Sequence, residues 1–163
     1  MADRGVIYKP IGIIHTGFGD KKDAPIQGVF AKDAKGKVEI FPEYADGLKD
    51  IEGFSHLILI YHFHLSDGYS LISKPFLEDE PHGIFSIRHC KRPNPIGLSI
   101  VKLEKVKENV LEISEVDILD GSPLLDIKPL VPQFDNRPDA KSGWLGNPDL
   151  DQVRGKPGKH RSE

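Results

Sequence analysis

The sequence predicts a mainly β chain: a small single-sheeted antiparallel β-barrel with one or two short helices. Three observations carry this expectation. Apolar residues recur with a period of two in several short runs separated by glycine, proline and aspartate. Residues 98–106 and 110–119 flank Glu108-Asn109 as a hairpin, and both arms slip phase by one residue at about the same place. Apolar positions fall at 101 and 103 and then at 106 on one arm, and at 111 and 113 and then at 116 and 118 on the other. A shared slip is what a bulge or sharp corner in a curled sheet produces. Finally, the chain has no internal repeat, no low-complexity segment and no glycine motif of a nucleotide-binding parallel sheet.

Taken in order, residues 11–16 are rich in isoleucine, lie between Pro10 and Gly17, and read as the first strand. A polar loop over 17–27 ends at Gln27-Gly28. The glycine lets backbone approach a ligand closely, and the glutamine can both donate and accept. Residues 28–31 and 37–41 flank a turn-rich segment, 32–36, and read as a hairpin. Residues 42–51 carry an early proline, Tyr44, Leu48 and Ile51 at helical spacing, and Gly53 beyond the end, which predicts a short helix.

Residues 54–64 form the most apolar strand. Leu57, Leu59, Tyr61 and Phe63 share one face; His56, Ile58, Ile60, His62 and His64 share the other. Both faces are apolar in the middle, so a cover on each side is expected: the barrel core on one, a partner subunit on the other. His62 and His64 also have the spacing of metal ligands on a strand. With His82 or His89 they would make a cupin-like metal enzyme. The glutamate that pattern needs is missing a few residues on, so the expectation is no metal.

After an irregular loop over 66–76 comes LEDEPHGIFSIRHCKRPNPIGLS, residues 77–99, which packs charges, histidines and prolines around one apolar run at 84–87. That run predicts a short strand delivering two functional loops. Pro93 and Pro95 fix φ and stiffen the second loop, so its side chains lose little freedom on binding. Arg88 offers a planar fork for a carboxylate or phosphate. Lys91, Arg92 and Asn94 sit at the outer turn, where the cations are free to meet phosphates. Asp117, Asp120 and Asp126 can be read as a carboxylate cluster, although Asp120-Gly121 is also ordinary turn chemistry. Residues 124–127 give the last strand. From 134 onward glycine, proline and charge dominate, so a barrel over 1–135 and a loosely held tail over 136–163 are expected.

With 163 residues, one domain with its own core is expected. The single cysteine, Cys90, excludes an intrachain disulfide and fits a reducing compartment. The apolar runs are too short for a signal peptide or a membrane span, so a cytoplasmic protein is expected. A net charge of -3 excludes a bulk electrostatic grip on nucleic acid. Any such contact is local, at residues 88–92 or in the basic stretch 154–161.

The segment DEPHGIFSIRHCKRPNPIGLSIVKLEKV followed by VDILDGSPLLDIKPLVP resembles the paired signature of the TsaA-like, or TrmO, family, roughly GVFATRSPxRPNPIG and then DLLDGTPVLDIKPYxP. The resemblance spans residues 11–132. It implies a β-barrel methyltransferase using S-adenosylmethionine, with threonylcarbamoyladenosine beside the tRNA anticodon as the acceptor, and it is compatible with a homodimer. It places Gln27, Gly28, His64, Leu65, Arg88, Leu98, Ile118, Leu119, Asp120 and Gly121 at the methyl donor, Arg88 being expected to hold its carboxylate. It names no catalytic residue, and methyl transfer from a sulfonium depends chiefly on alignment. The alternatives are a protein binding S-adenosylmethionine with another acceptor, and the metal enzyme using His62 and His64.

Overall fold

Six strands close on themselves in the computed structural model, which describes residues 5–76 and 78–146. In chain order the strands are β1 (Gly12–Thr16), β2 (Lys35–Ile40), β3 (His56–His62), β4 (Ile72–Ser73), β5 (His82–Gly83), β6 (Ile96–Lys107), β7 (Val110–Ser114) and β8 (Ser122–Pro129). The barrel runs β1-β2-β7-β6-β3-β8 and returns to β1, while β4 and β5 pair apart from it. All barrel pairs are antiparallel. Closure leaves no strand edge in the barrel unpaired. The one α-helix among the described residues is α1 (Pro132–Asp135). No helix of the described residues is long and apolar enough to cross a membrane.

The period of two sets the core. On β3, Leu57, Leu59 and Tyr61 point inward and are buried, beside Ile14, Val38, Ile40, Val101, Leu111, Ile113, Val116, Ile118 and Leu124. Burying each such aliphatic side chain contributes roughly 1.5–3 kcal/mol. β6 faces β3 with smaller residues, pairing Leu59 with Ser99 and Tyr61 with Gly97. The Tyr61 ring lies over Gly97, where a Cβ would stand 2.4 Å from the ring Cζ. Large against small is how a narrow barrel fills its interior.

The phase slip has two different causes. On β6 the register shifts between Leu103 and Lys105, a bulge that leaves Glu104 over. On the other arm β7 ends at Ser114, and Glu115 takes a left-handed φ of 59° that returns Val116 to the core.

Three expected elements differ. Residues 28–31 are no hairpin arm: Gly28–Phe30 is a 3-10 turn, and β2 pairs with β1 and β7. Gly28 is jammed against the end of the β7 arm, where a Cβ would sit 1.8 Å from the carbonyl oxygen of Glu115. The expected helix at 42–51 is two 3-10 turns, Pro42–Leu48 and Ile51–Gly53, separated at Asp50 by a left-handed φ of 67°. The run 84–87 is no strand either. Ile84–Ser86 is a 3-10 turn whose period of three buries Ile84 and Ile87 and leaves Phe85 outside.

The expected tail is partly described. Trp144 stacks on His82 with ring centroids 4.5 Å apart and donates Nε1–H to the Ser86 carbonyl at 2.8 Å, so this part of it docks on the β5 turn. Residues 147–163, including the basic stretch 154–161, lie outside the described residues.

Candidate functional site

The site is organised by a carboxylate on the link between β7 and β8. Asp117 accepts hydrogen bonds from Ser99 Oγ on β6 at 2.5 Å and from the Gly28 backbone N–H at 3.1 Å. Ser99 has one hydroxyl proton, which it gives to Asp117. Tyr61 Oη, 3.1 Å away, therefore donates to Ser99. Burial pushes the Asp117 carboxyl above the usual carboxylate range, opposed by Ser99, the Gly28 N–H and the charge of Arg88. Burial and the Asp117 charge push the Tyr61 phenol up as well, so it stays a neutral donor.

Above this floor Arg88 donates Nη1–H to Gln27 Oε1 at 3.2 Å. Gln27 opens the turn whose Gly28 is held by Asp117. One carboxylate thus ties β6 and the Gln27-Gly28 turn together and faces the arginine. The close approach of the Glu115 carbonyl by itself requires glycine here.

A second cluster lies further along the same link. Thr16 Oγ1 donates to the Ile118 carbonyl at 2.8 Å, and the Thr16 N–H donates to Asp120 Oδ1 at 2.9 Å. The Asp120 N–H reaches the Phe18 carbonyl at 2.8 Å, and the Gly121 N–H reaches that of Ile14 at 2.9 Å. Gly121 has φ of 77°, a conformation that favours glycine. Ser122 Oγ donates to the Leu119 carbonyl at 2.7 Å, so the His64 Nδ1 standing 3.3 Å from Ser122 Oγ is the protonated nitrogen. This leaves Nε2 of the neutral ring as an acceptor, close to Gly121. Burial and the neighbouring charge of His62 lower the His64 pKa, against a weaker opposing pull from Asp120. At neutral pH the ring is uncharged.

The sequence-derived residues therefore fall into groups. Gln27, Gly28 and Arg88 meet around Asp117, while His64, Asp120 and Gly121 meet around Ser122 and Thr16. The Ile118 side chain is in the core, and four backbone groups of 118–121 already have partners inside the barrel. Leu98 lies on the outward face of β6, 52% exposed and paired with Ile60, while its neighbour Ser99 points inward to Asp117. Leu65 is likewise exposed. Lys91 and Asn94 are exposed on the loop. Arg92 is not a purely outward group: its Nη1 donates to the carbonyls of Ile84 at 3.0 Å and Ile87 at 2.7 Å.

His62 ends β3, and the chain then turns, the His64 N–H bonding back to the His62 carbonyl at 2.9 Å. His82 pairs with Glu78 at 3.0 Å. Among the described residues, no group of three or more histidine, cysteine, aspartate or glutamate side chains is placed to hold a metal ion. Sequence reasoning missed Ser99 and Tyr61. The available signal was a serine at an inward-facing position of an apolar strand, which demands a buried partner.

The profile of the tRNA-methyltransferase O N-terminal domain matches residues 13–136. A "Probable S-adenosyl-L-methionine-binding protein" of Pyrococcus abyssi is 56% identical over 140 residues, covering 86% of this chain and 76% of that protein. The tRNA (adenine(37)-N6)-methyltransferase of Escherichia coli is 34% identical over 147 residues, covering 84% of this chain but 63% of the enzyme. The crystal structure of TrmO from Pseudomonas aeruginosa superposes with a TM-score of 0.73 at 35% identity, over 86% of this chain and 62% of that one. With the barrel, the two signature segments and the profile in agreement, the chain belongs to the TrmO, or TsaA-like, family.

Proposed function

We propose that the protein transfers a methyl group from S-adenosylmethionine to N6 of threonylcarbamoyladenosine beside a tRNA anticodon. One observation carries this reading: Asp117 gathers Gln27, Gly28 and Arg88 at the link whose next residues, Ile118 to Gly121, complete the family's donor signature. The donor supplies an electrophilic methyl on a sulfonium. The acceptor nitrogen forms the new C–N bond as the C–S bond breaks, its electron pair stays on sulfur, and the N6 proton leaves to solvent or a nearby base.

The chain's own residues supply position. Arg88 offers a fork to the donor's carboxylate, and Gln27 fixes that fork from one side. Neutral His64 presents Nε2 beside Gly121 without adding a positive charge next to a sulfonium. Holding nucleophile and methyl in line is the main task of such a site.

The protein is further proposed to act as a homodimer in the cytoplasm. The outward face of β3 and β6 pairs Ile58 with Ile100 and Ile60 with Leu98, and Ile96, Leu98 and Ile100 are exposed along it. Such an apolar row fits a two-fold partner. A monomeric mass by light scattering at micromolar concentration would refute the dimer.

A second reading, a donor-binding protein with another acceptor, is favoured by the name of the Pyrococcus abyssi relative, a probable S-adenosyl-L-methionine-binding protein. Incubating tRNA with isotopically labelled donor, digesting it and identifying the methylated nucleoside separates the two. Label in N6-methylated threonylcarbamoyladenosine is the expected result; label elsewhere, or none with donor binding intact, supports the second reading.

A further inference from the structure

Phe85 is 77% exposed, yet the turn that carries it is held from several sides. Ile84 and Ile87, on either side of it, are buried in the protein. Arg92 bonds both of their carbonyls, the Ser86 hydroxyl donates to the Gly83 carbonyl at 2.8 Å, and Trp144 donates to the Ser86 carbonyl. The Arg92 guanidinium carbon lies 5.9 Å from the centre of the Phe85 ring. A large aromatic ring in water is unfavourable, and a rigid turn cannot fold it away.

The charges on the two sides of the turn differ: Glu78, Asp79 and Glu80 precede it, and Glu78 pairs with His82, while the residues after it are basic. Arg88, Lys91 and Arg92 follow the turn, and Lys21 reaches Cys90 with its ammonium 3.6 Å from the sulfur. An exposed, immobilised ring with a guanidinium beside it and basic residues on the segment that follows is the combination by which proteins hold single-stranded nucleic acid: the base stacks on the ring and the phosphates meet the charges. A partner protein's apolar surface would match the ring but not the cations.

We propose that Phe85 is a stacking platform for one unpaired base of an RNA loop, with Arg92 and Trp144 as positioning residues that hold the platform still. This rests on the tRNA reading above and names a side chain that recognises the acceptor strand. Because the contact is with a π-face, it is sequence-tolerant and adds affinity without adding salt dependence.

The test uses the full chain with tRNA and with an anticodon stem-loop carrying 2-aminopurine, whose fluorescence is quenched on stacking. Phe85→Leu keeps apolar bulk and removes the π-face; Phe85→Trp keeps both. The leucine variant should lose roughly five- to a hundredfold in RNA affinity and abolish the quenching. The tryptophan variant should retain both, while donor affinity, salt slope and solution mass stay at wild-type values. Wild-type RNA affinity in the leucine variant overturns the proposal while leaving the tRNA reading intact. A changed solution mass assigns Phe85 to a contact between copies, and a loss of donor affinity assigns it to the donor pocket; either overturns the proposal. If the wild type neither binds nor methylates tRNA, the functional reading fails and this proposal fails with it.

Discussion

β3 meets β6 through seven register pairs, from His56↔Lys102 to His62↔Ile96, whereas β4 and β5 share two. The barrel and the excursion over 63–95 that leaves it between those strands differ in what holds them. Around the barrel every strand is paired on both sides and lines a common apolar core, so many small contributions support one another. Of its described residues the excursion buries only Ile84, Ile87 and Cys90, and it otherwise relies on single polar contacts: Arg92 to Ile84 and Ile87, Ser66 Oγ to the Cys90 carbonyl at 2.9 Å, and the Ser70 N–H to that of Lys91 at 3.3 Å. It also exposes Leu65, Tyr69, Leu71, Ile72, Phe76 and Phe85. The barrel is held by many shared contacts and the excursion by fewer, so a substitution should cost more folding stability in the first than in the second.

The largest effect expected is on the barrel side. Leu59 is fully buried, and Leu59→Ala should cost about 2–5 kcal/mol in denaturant unfolding. A cost near zero would break the comparison at its first term.

Next comes Arg88, in the excursion. Arg88→Ala should weaken S-adenosylmethionine binding by about 1.5–3 kcal/mol, roughly ten- to a hundredfold, while the melting temperature stays put. Calorimetry on the folded variant showing unchanged affinity would remove Arg88 from the donor site.

Asp117 joins the two regions and gives a pH signature. Its folded pKa is raised above the ordinary 3.8, so the folded state holds the proton more tightly than the unfolded chain does. That contribution is fully present below the ordinary value and is lost as pH rises through the raised one. In Asp117→Asn the dependence disappears. The stability of wild type relative to this variant should therefore increase as pH falls through that window, measured by paired denaturant titrations. A difference independent of pH would mean that the carboxyl titrates normally.

The smallest effect belongs to Lys91. Arg92 has structural work to do, which makes Lys91→Ala the cleaner probe of phosphate contact. It should flatten the logarithmic salt dependence of tRNA binding by ~0.7 and leave donor affinity alone. An unchanged slope would move the phosphate contact to other cations.

The contrast also explains what could be read from the sequence. Strand alternation made the inward residues of β3 legible, and the double phase slip pointed to a curled sheet. The slip could not reveal that one arm bulges at Glu104 while the other simply ends at Glu115. The partner of β2 was hidden, because the fit of Gly28 against Glu115 joins residues far apart in the chain. Ile84 to Ile87 suits a strand or a 3-10 turn equally well, and the deciding bonds come from Arg92 and Trp144. Signature motifs named the site residues one by one. Their grouping required knowing that Ser99 faces Asp117 across the barrel.

Barrel closure has a consequence for the order of events in folding. β1 pairs with β2 on one edge and with β8 on the other as Gly12↔Leu124, so that second edge waits for the last strand, the kind of distant pairing that slows folding. The bonds from Thr16 to Ile118 and Asp120 form across that same seam. A chain still emerging during synthesis therefore has no assembled seam until β8 is available. In refolding, ligand binding should lag the recovery of β-sheet circular dichroism, which makes occupancy by the donor a reporter of the final closing step.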